Sequence, residues 1–393
     1  MQTLIVSEPG VDGVFRYVEM LCQHLTARGV DVHLAYSDRR SSDRLLDLVA
    51  AIEARGGRTL NLRTSNRPAW SDVAAFIALR RLVREVRPDV IHSHSSKAGF
   101  LARMLAVTGC RAAQIYHPHA DVGMRPVHGR FDRVYDLLES GLGRVGLSVV
   151  VSSGERAHAC ERLRIPTRHI RLIPNGVDTE RFRPATPAEK AAARVALGLP
   201  ADRIVLGFIG RSCEQKDPVT LYRAFAKAAE ADRRLALFHV GHGELDGALE
   251  QLTAELRMTP HIFRRPYLTQ PDLFYQAVDG MALPSRYEGF SLALLEALAA
   301  NLPLILSGAA GNADLLAQPL SHAWEAAAGD VEAFARAIAE WSVEAGEPLR
   351  INHRAIAQAH FEAQASLDAV LELYEQLTRD RGGHPINATP AVG

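Results

Sequence analysis

Residues 281–297 read Met281-Ala282-Leu283-Pro284-Ser285-Arg286-Tyr287-Glu288-Gly289-Phe290-Ser291-Leu292-Ala293-Leu294-Leu295-Glu296-Ala297. A short apolar run ends in a proline, a polar turn follows, and an Ala/Leu-rich run opens near Ser291. This is the grammar of a β-strand, a tight turn and a helix. Gly289 lets the backbone come close to a ligand. The helix start presents unpaired N–H groups and partial positive charge, which suit a phosphate. Glu288 sits in the turn, and Glu296 lies about two helical turns further on. A carboxylate can take two hydrogen bonds at once, as a vicinal diol requires. The bland reading is a turn glutamate and a helix-surface glutamate, both solvated. Leu294, Leu295, Ala297 and Leu298 flank Glu296 and weigh against a solvated face.

The same unit recurs outward from this stretch. Strands are expected at 3–7, 31–36, 90–94, 113–116 and 148–152, with helices such as 14–28 and 70–86 between them. A second series starts at 203–209 and continues at 235–240, 261–263, 280–283 and 303–306. Such alternation predicts parallel sheets covered by helices on both faces. Ile173-Pro174-Asn175-Gly176-Val177-Asp178, followed by Arg183-Pro184 and Pro187, reads as the linker between the series. The expected fold class is α/β, with two facing Rossmann-like, doubly wound domains over 1–178 and 185–350. A chain of 393 residues is too long for one ordinary core. Residues 381–393, rich in Gly and Pro, are expected to be a disordered tail. Open sheets of this kind bind ligands beyond the carboxyl ends of their strands.

Hydrophobic residues make up 47% and charged residues 23%, an ordinary soluble composition. The formal net charge of zero argues against a dedicated nucleic-acid binder. That zero hides a division. Residues up to Arg183 carry 27 basic and 19 acidic side chains, leaving 18 and 26 beyond. One half is therefore fit to meet an anionic surface, unless the split is only how solubility is distributed. Cys22, Cys110, Cys160 and Cys213 are too scattered for a metal or redox pair and read as free thiols of a reducing compartment. The first residues form a strand rather than a signal peptide, and no apolar run is long enough for a bilayer. The expected location is cytoplasmic, at most peripheral on the inner face of a membrane.

With Gly289-Phe290 after the first carboxylate, the spacing of Glu288 and Glu296 resembles the E-x7-E motif of retaining GT-B glycosyltransferases, family 4. Further landmarks are Gly13-Val14, the run Arg87-Pro88-Asp89-Val90-Ile91-His92-Ser93-His94, Tyr116-His117-Pro118-His119, Pro174-Asn175-Gly176-Val177-Asp178, and Gly210-Arg211 with Gln215-Lys216-Asp217-Pro218. Each is weak alone; their order and spacing carry the resemblance. It implies a first domain that binds the acceptor, a second that binds a nucleotide sugar, and helices of 351–380 that return to the first. It gives Glu296 the ribose hydroxyls, Glu288 the hydroxyls of the donor sugar, and Phe290 and Ser291 N–H contacts to the diphosphate. Arg211 and Lys216 match the cations that neutralise that diphosphate as it leaves, a role that prepositioned charge performs well. They follow strand 203–209, so a plain surface loop is the weaker reading. No Asp-x-Asp motif is present, and no metal or other cofactor is expected. His119 matches the histidine near the reacting carbon, with His117, His92 and His94 as competitors. Gly13 approaches the donor phosphate in the family.

The sequence also departs from the family. Asp12 replaces the first of two usual glycines; it either orients an acceptor hydroxyl or caps a helix. Gly241-His242-Gly243 and the turn 307–312 differ from the usual glycine patterns, and Arg264, Arg265 and Tyr267 follow the strand that frames the base. Helix 70–84 mixes Phe, Ile and Leu with arginines; most of its apolar face is core, and the arginines could rest on anionic lipid. The reading is a retaining hexosyltransferase acting from a nucleotide-diphosphate sugar on a lipid-linked or small-molecule acceptor, in cell-surface polysaccharide assembly. Its rivals are a nucleotide-sugar 2-epimerase of the same fold and a non-catalytic scaffold subunit. A dinucleotide dehydrogenase lacks its G-x-G-x-x-G after the first strand.

Overall fold

Short strands of buried aliphatics alternate with amphipathic helices along the whole chain, and this alternation builds two parallel sheets. The computed structural model describes residues 1–39, 41–65, 69–120, 122–124, 132–345 and 350–379. The expected tail, 381–393, lies outside the described residues. The first series runs β1 (Gln2–Ser7), α1 (Asp12–Ala27), β2 (Asp31–Tyr36), α2 (Asp43–Ala54), β3 (Thr59–Asn61), α3 (Ser71–Val86), β4 (Val90–His94), α4 (Ser96–Val107), β5 (Ala113–His117), α5 (Asp132–Leu142), β6 (Leu147–Val150), α6 (Ser153–Ala157) and β7 (Ile170–Leu172). The second runs α7 (Pro187–Leu197), β8 (Ile204–Ile209), α8 (Pro218–Ala231), β9 (Leu235–Val240), α9 (Asp246–Glu255), β10 (Ile262–Arg265), α10 (Asp272–Ala277), β11 (Gly280–Leu283), α11 (Leu292–Ala299), β12 (Leu304–Ser307), α12 (Ala310–Leu316), β13 (Ala323–Ala326), α13 (Val331–Glu344), α14 (His353–His360) and α15 (Ala363–Arg379).

The first sheet has the order β3-β2-β1-β4-β5-β6-β7 and the second β10-β9-β8-β11-β12-β13. Each reverses beside its first strand, between β1 and β4 and between β8 and β11. That is the doubly wound order, whose switch point is where ligands bind. The edge strands β3, β7 and β13 escape the sequence reading because each has only three or four residues, half of them partly exposed or more. β10 takes in Arg264 and Arg265, which the sequence reading puts beyond the strand. The Arg264 guanidinium instead pairs with Asp246 at 2.5 Å.

Among the described residues, those up to Pro174, joined by 366–379, form one compact unit, and those of 175–365 form the other. In the first, Leu4, Val6, Ala35 and Ile91 of the strands pack against Leu79 of α3 and Leu101 and Leu105 of α4. α15 joins this unit through the Tyr374 hydroxyl, 2.6 Å from His92 Nδ1, and through Asp368, which meets Arg28 at 2.7 Å. Arg103 of α4, 1% exposed, makes a bidentate pair with Glu139 of α5 at 2.8 and 2.9 Å and lies over the Tyr116 ring. α14 stays with the second unit, where His353 Nδ1 is 2.7 Å from the Leu302 carbonyl. Among the described residues no helix is long and apolar enough to cross a membrane. The four cysteines are free thiols.

His239 of β9 is fully buried, with Nδ1 2.8 Å from the Tyr222 hydroxyl. Burial, helped by the charge of Arg264, pushes its imidazole down to about 3. In the unfolded chain the same group titrates near 6.5. Between those values the native state holds fewer protons than the unfolded one. Stability is therefore complete above about pH 6.5 and is lost as pH falls toward 3, with about 2 kcal/mol gone at pH 5 from this group. Urea titrations at neutral pH and near pH 5 should show that loss, and His239→Phe should reduce the difference. A wild-type protein more stable at the lower pH would contradict the assignment.

Candidate active site

In the second unit three loops meet at the carboxyl ends of β8, β9 and β11. The β8 and β9 loops come so close that a Cβ at Gly241 would lie 1.8 Å from the Gly210 carbonyl, and Gly241 has φ of +150°. Only glycine fits there. Gly311, after β12, likewise backs onto Gly289, where a Cβ would come within 2.1 Å of its carbonyl. The departures in glycine pattern noted in the sequence thus leave the close approaches intact.

Glu288 is 4% exposed, and one carboxylate oxygen accepts two hydrogen bonds. Lys216 Nζ donates to Oε1 at 2.5 Å and Ser285 Oγ donates to the same atom at 2.6 Å. The sequence reading gives Lys216 to the diphosphate and Glu288 to the sugar; the structure brings them together as an ion pair. Arg211 is tied to the same turn at one remove. Its Nη2 donates to Gln215 Oε1 at 3.1 Å, and Gln215 Nε2 donates to the Tyr287 carbonyl at 3.2 Å. Asp217, with φ of +46°, caps α8 and pairs with Arg286 at 3.0 Å. A left-handed residue at the cap turns the chain sharply from Lys216 into the helix.

Glu296 is 2% exposed, and the Tyr275 hydroxyl donates to its Oε2 at 2.5 Å. α11 begins at Leu292, and Ser291 occupies the N-cap position without a side-chain cap bond. The first N–H groups of the helix thus have no capping side chain and suit an anion. Phe290 is buried, and its carbonyl accepts from Asn175 Nδ2 at 2.7 Å. Asn175, read from sequence as linker, is therefore part of the scaffold of this turn. Sequence reasoning missed Ser285, Gln215 and Tyr275 as supporting residues. Ser285 stands three residues before Glu288 and was visible; Tyr275 comes from α10, and no local pattern announces it.

In the first unit the loop after β1 puts Val11 at the N-cap position of α1, so the helix-cap reading of Asp12 is not what the structure shows. Asp12 is the first helical residue, exposed, with φ of +65°, and Gly13 beside it is exposed with open space around its Cα. His119 has φ of +57° and is partly exposed. Its ring stacks on His117 at 3.8 Å, and its Nε2 is 3.0 Å from His94 Nδ1. Burial pushes both His92 and His119 down to about 3 and holds His94 and His117 well below the usual imidazole range. All four are neutral at physiological pH. As a neutral ring, His119 can donate one hydrogen bond and accept another. A groove of 380 Å³ lined by Arg84, Arg87, Asp89 and Arg111 lies where β4 and β5 begin. That is the wrong end of an open parallel sheet for the reaction.

Comparison with known proteins agrees with this geometry. Residues 11–181 match the family described as Glycosyltransferase Family 4, and residues 189–358 match glycosyl transferases group 1. A UDP-Gal:alpha-D-GlcNAc-diphosphoundecaprenol alpha-1,3-galactosyltransferase of Escherichia coli is 29% identical over 247 residues, 61% of this chain and 63% of that protein. A D-inositol 3-phosphate glycosyltransferase of Frankia alni is 29% identical over 352 residues, 82% of this chain and 84% of that one. Among solved structures, Anabaena HepE in complex with UDP-glucose superposes with a TM-score of 0.80 at 19% identity, covering 96% of this chain and all of the other. Sucrose-phosphate synthase from Thermosynechococcus elongatus gives 0.78 at 21% identity, with the same coverage. The sheet orders, the paired acidic residues of the second unit and these matches together place the chain among the glycosyltransferases of the family 4 type.

Proposed function

We propose that this glycosyltransferase takes its sugar from a uridine diphosphate sugar, with retention and without a metal at the diphosphate, and passes it to a lipid-linked acceptor in surface-polysaccharide assembly. The observation that carries the reading is the pairing of Lys216 with Glu288 next to the uncapped start of α11. A cation, a helix N-terminus and a diol-binding carboxylate together complement a sugar diphosphate. Glu296 takes the ribose hydroxyls and Glu288 the hydroxyls of the sugar. Arg211 and Lys216 neutralise the diphosphate, along with N–H groups of Gly289, Phe290 and Ser291, and Gly13 leaves room for backbone approach. As the bond from the anomeric carbon to the diphosphate breaks, the acceptor oxygen bonds that carbon on the same face, and its proton passes to a diphosphate oxygen. No protein nucleophile is needed. His119 is assigned a hydrogen bond to a sugar hydroxyl and Asp12 the orientation of the acceptor. The choice of uridine rests on the UDP-glucose complex of HepE and on the donor in the name of the Escherichia coli relative, whose acceptor is a diphosphoundecaprenol-linked sugar.

A membrane-borne acceptor calls for a surface that meets the cytoplasmic leaflet. α3 turns Ala75, Leu79 and Leu82 to the core, as expected. Outward it shows Trp70 at 93%, Val73 at 56% and Ile77 at 48% exposure, followed by exposed Arg80, Arg81, Arg84 and Arg87. Apolar residues and arginines on one helix face form the pattern of an interfacial helix.

Glu296→Ala should weaken UDP binding by about 1–3 kcal/mol, the scale for charged hydrogen bonds lost from ribose. Calorimetry should also give the same UDP affinity in magnesium and in chelator. An unaltered affinity in Glu296→Ala removes that residue from the site, and a strict need for magnesium overturns the metal-free reading of the diphosphate site. Arg211→Ala should lower turnover roughly 10²–10³-fold, as for loss of one preorganised charge, and normal turnover would reject the leaving-group role. The protein should sediment with anionic vesicles at low salt, detach at high salt and ignore neutral ones, since basic residues gain about 1 kcal/mol each at such a surface. Trp70→Ser with Arg81→Glu should weaken sedimentation and spare UDP affinity. Equal failure to bind both vesicle types would point to a soluble acceptor instead.

A further inference from the structure

His92 and His94 alternate on β4, so both side chains leave the same face of the sheet. In the register of β4 with β5, His94 stands opposite His117. The three side chains are fully buried, and one nitrogen of each lies within 4.8 Å of the others. His92 engages Nδ1 with the Tyr374 hydroxyl at 2.6 Å, and His94 engages Nδ1 with His119 Nε2 at 3.0 Å. Among the described residues, Nε2 of His92, Nε2 of His94 and both nitrogens of His117 have no hydrogen-bond partner. Buried polar atoms without partners are rare and call for an explanation.

We propose that His92, His94 and His117 form a binding site for a zinc-class transition-metal ion within the first unit. The donors are three neutral imidazoles, which suit zinc, copper, iron and nickel and do not suit magnesium or calcium, which need oxygen. Each of the first two histidines offers Nε2 while its Nδ1 is held by a neighbour, the arrangement that orients a metal-bound imidazole. Zinc–nitrogen bonds of 2.0–2.1 Å place tetrahedral ligand atoms about 3.4 Å apart, so the rings must close in by side-chain rotation. Three histidines leave a fourth position, which water fills in sites of this composition. The ion would clip the end of β4 to the end of β5. Through His94 and the stacked His117 it would also fix His119, and through Tyr374 it would fasten α15. Its ligands belong to the first unit, whereas Arg211, Lys216 and the turn 289–291 assigned to the diphosphate belong to the second.

The test uses the full chain, stripped with chelator and dialysed, then titrated with Co²⁺. One equivalent should give the visible d–d absorption of a four-coordinate ion, and Zn²⁺ should bleach it. Zn²⁺ should also raise the melting temperature. His94→Gln and His117→Gln should abolish the band. Because either variant may disturb the core, Tyr374→Phe provides a milder probe: it keeps all three ligands and should weaken Co²⁺ binding about 10–100-fold. His360→Gln, on the exposed end of α14, should change nothing. Absence of a four-coordinate band in the wild type, or its persistence in folded His117→Gln, overturns the proposal. UDP affinity, measured in the same samples with and without metal, should not change, so failure here leaves the nucleotide reading standing.

Discussion

A carboxylate removed from water must be given its hydrogen bonds and its counter-charge, and Glu288 receives both from Lys216 and Ser285. Lys216 is 72 residues away in sequence, yet it is held at 2.5 Å because β8 and β11 are neighbours at the point where the sheet order reverses. Effective desolvation penalties run to several kcal/mol per buried ion, so neither partner can be placed without the other. The loop after β8 and the turn after β11 therefore form one object. Gln215, Arg286 and Asp217 lace the same two segments together. On the proposed reading, a diphosphate entering this site would meet a cation already positioned, with little left to reorganise, which is where electrostatic catalysis draws its strength.

That pairing also alters what a lysine-to-alanine experiment measures. Removing Lys216 alone strands a buried carboxylate, a loss of about 3–5 kcal/mol by precedent. A fall in activity would then report stability and chemistry together. Arg211, whose Nη2 donates to the uncharged side chain of Gln215, is the second cation to test for the leaving group.

Periodicity made the architecture legible. Both sheets, their central strands and most helices follow from apolar runs separated by turn residues, and the E-x7-E spacing was visible as two carboxylates around one helix start. The edge strands β3, β7 and β13 were not legible, because three or four residues cannot show a period. Nor was the partner of Glu296, since Tyr275 arrives from α10 by tertiary folding alone. Asp12 was ambiguous between two roles, and the left-handed backbone at that residue with Val11 as cap could only be seen in three dimensions. The histidines show the same limit differently. His92 and His94 share a face of β4 by strand alternation, but without the register of β5 nothing in the sequence set His117 beside them.

The charge division of the chain looks at first like an argument against the proposed assignment of sites, since the residues beyond Arg183 carry the acidic surplus and yet are given the anion. Screening resolves it. At physiological ionic strength the field of an exposed charge decays over about 8 Å, so a distant excess of surface carboxylates hardly reaches a diphosphate. What acts there is local: Lys216, 16% exposed at its side chain, Arg211 and the start of α11. For the first unit the proposed partner is a surface, and the reverse would hold. A membrane is itself an extended sheet of charge, so many exposed arginines act in parallel, each within a Debye length of the surface. Net charge thus bears on the partner that is a surface, and geometry on the partner that is a molecule. On the proposed reading the two recognition problems fall on different units, where a change to one set of charges need not disturb the other.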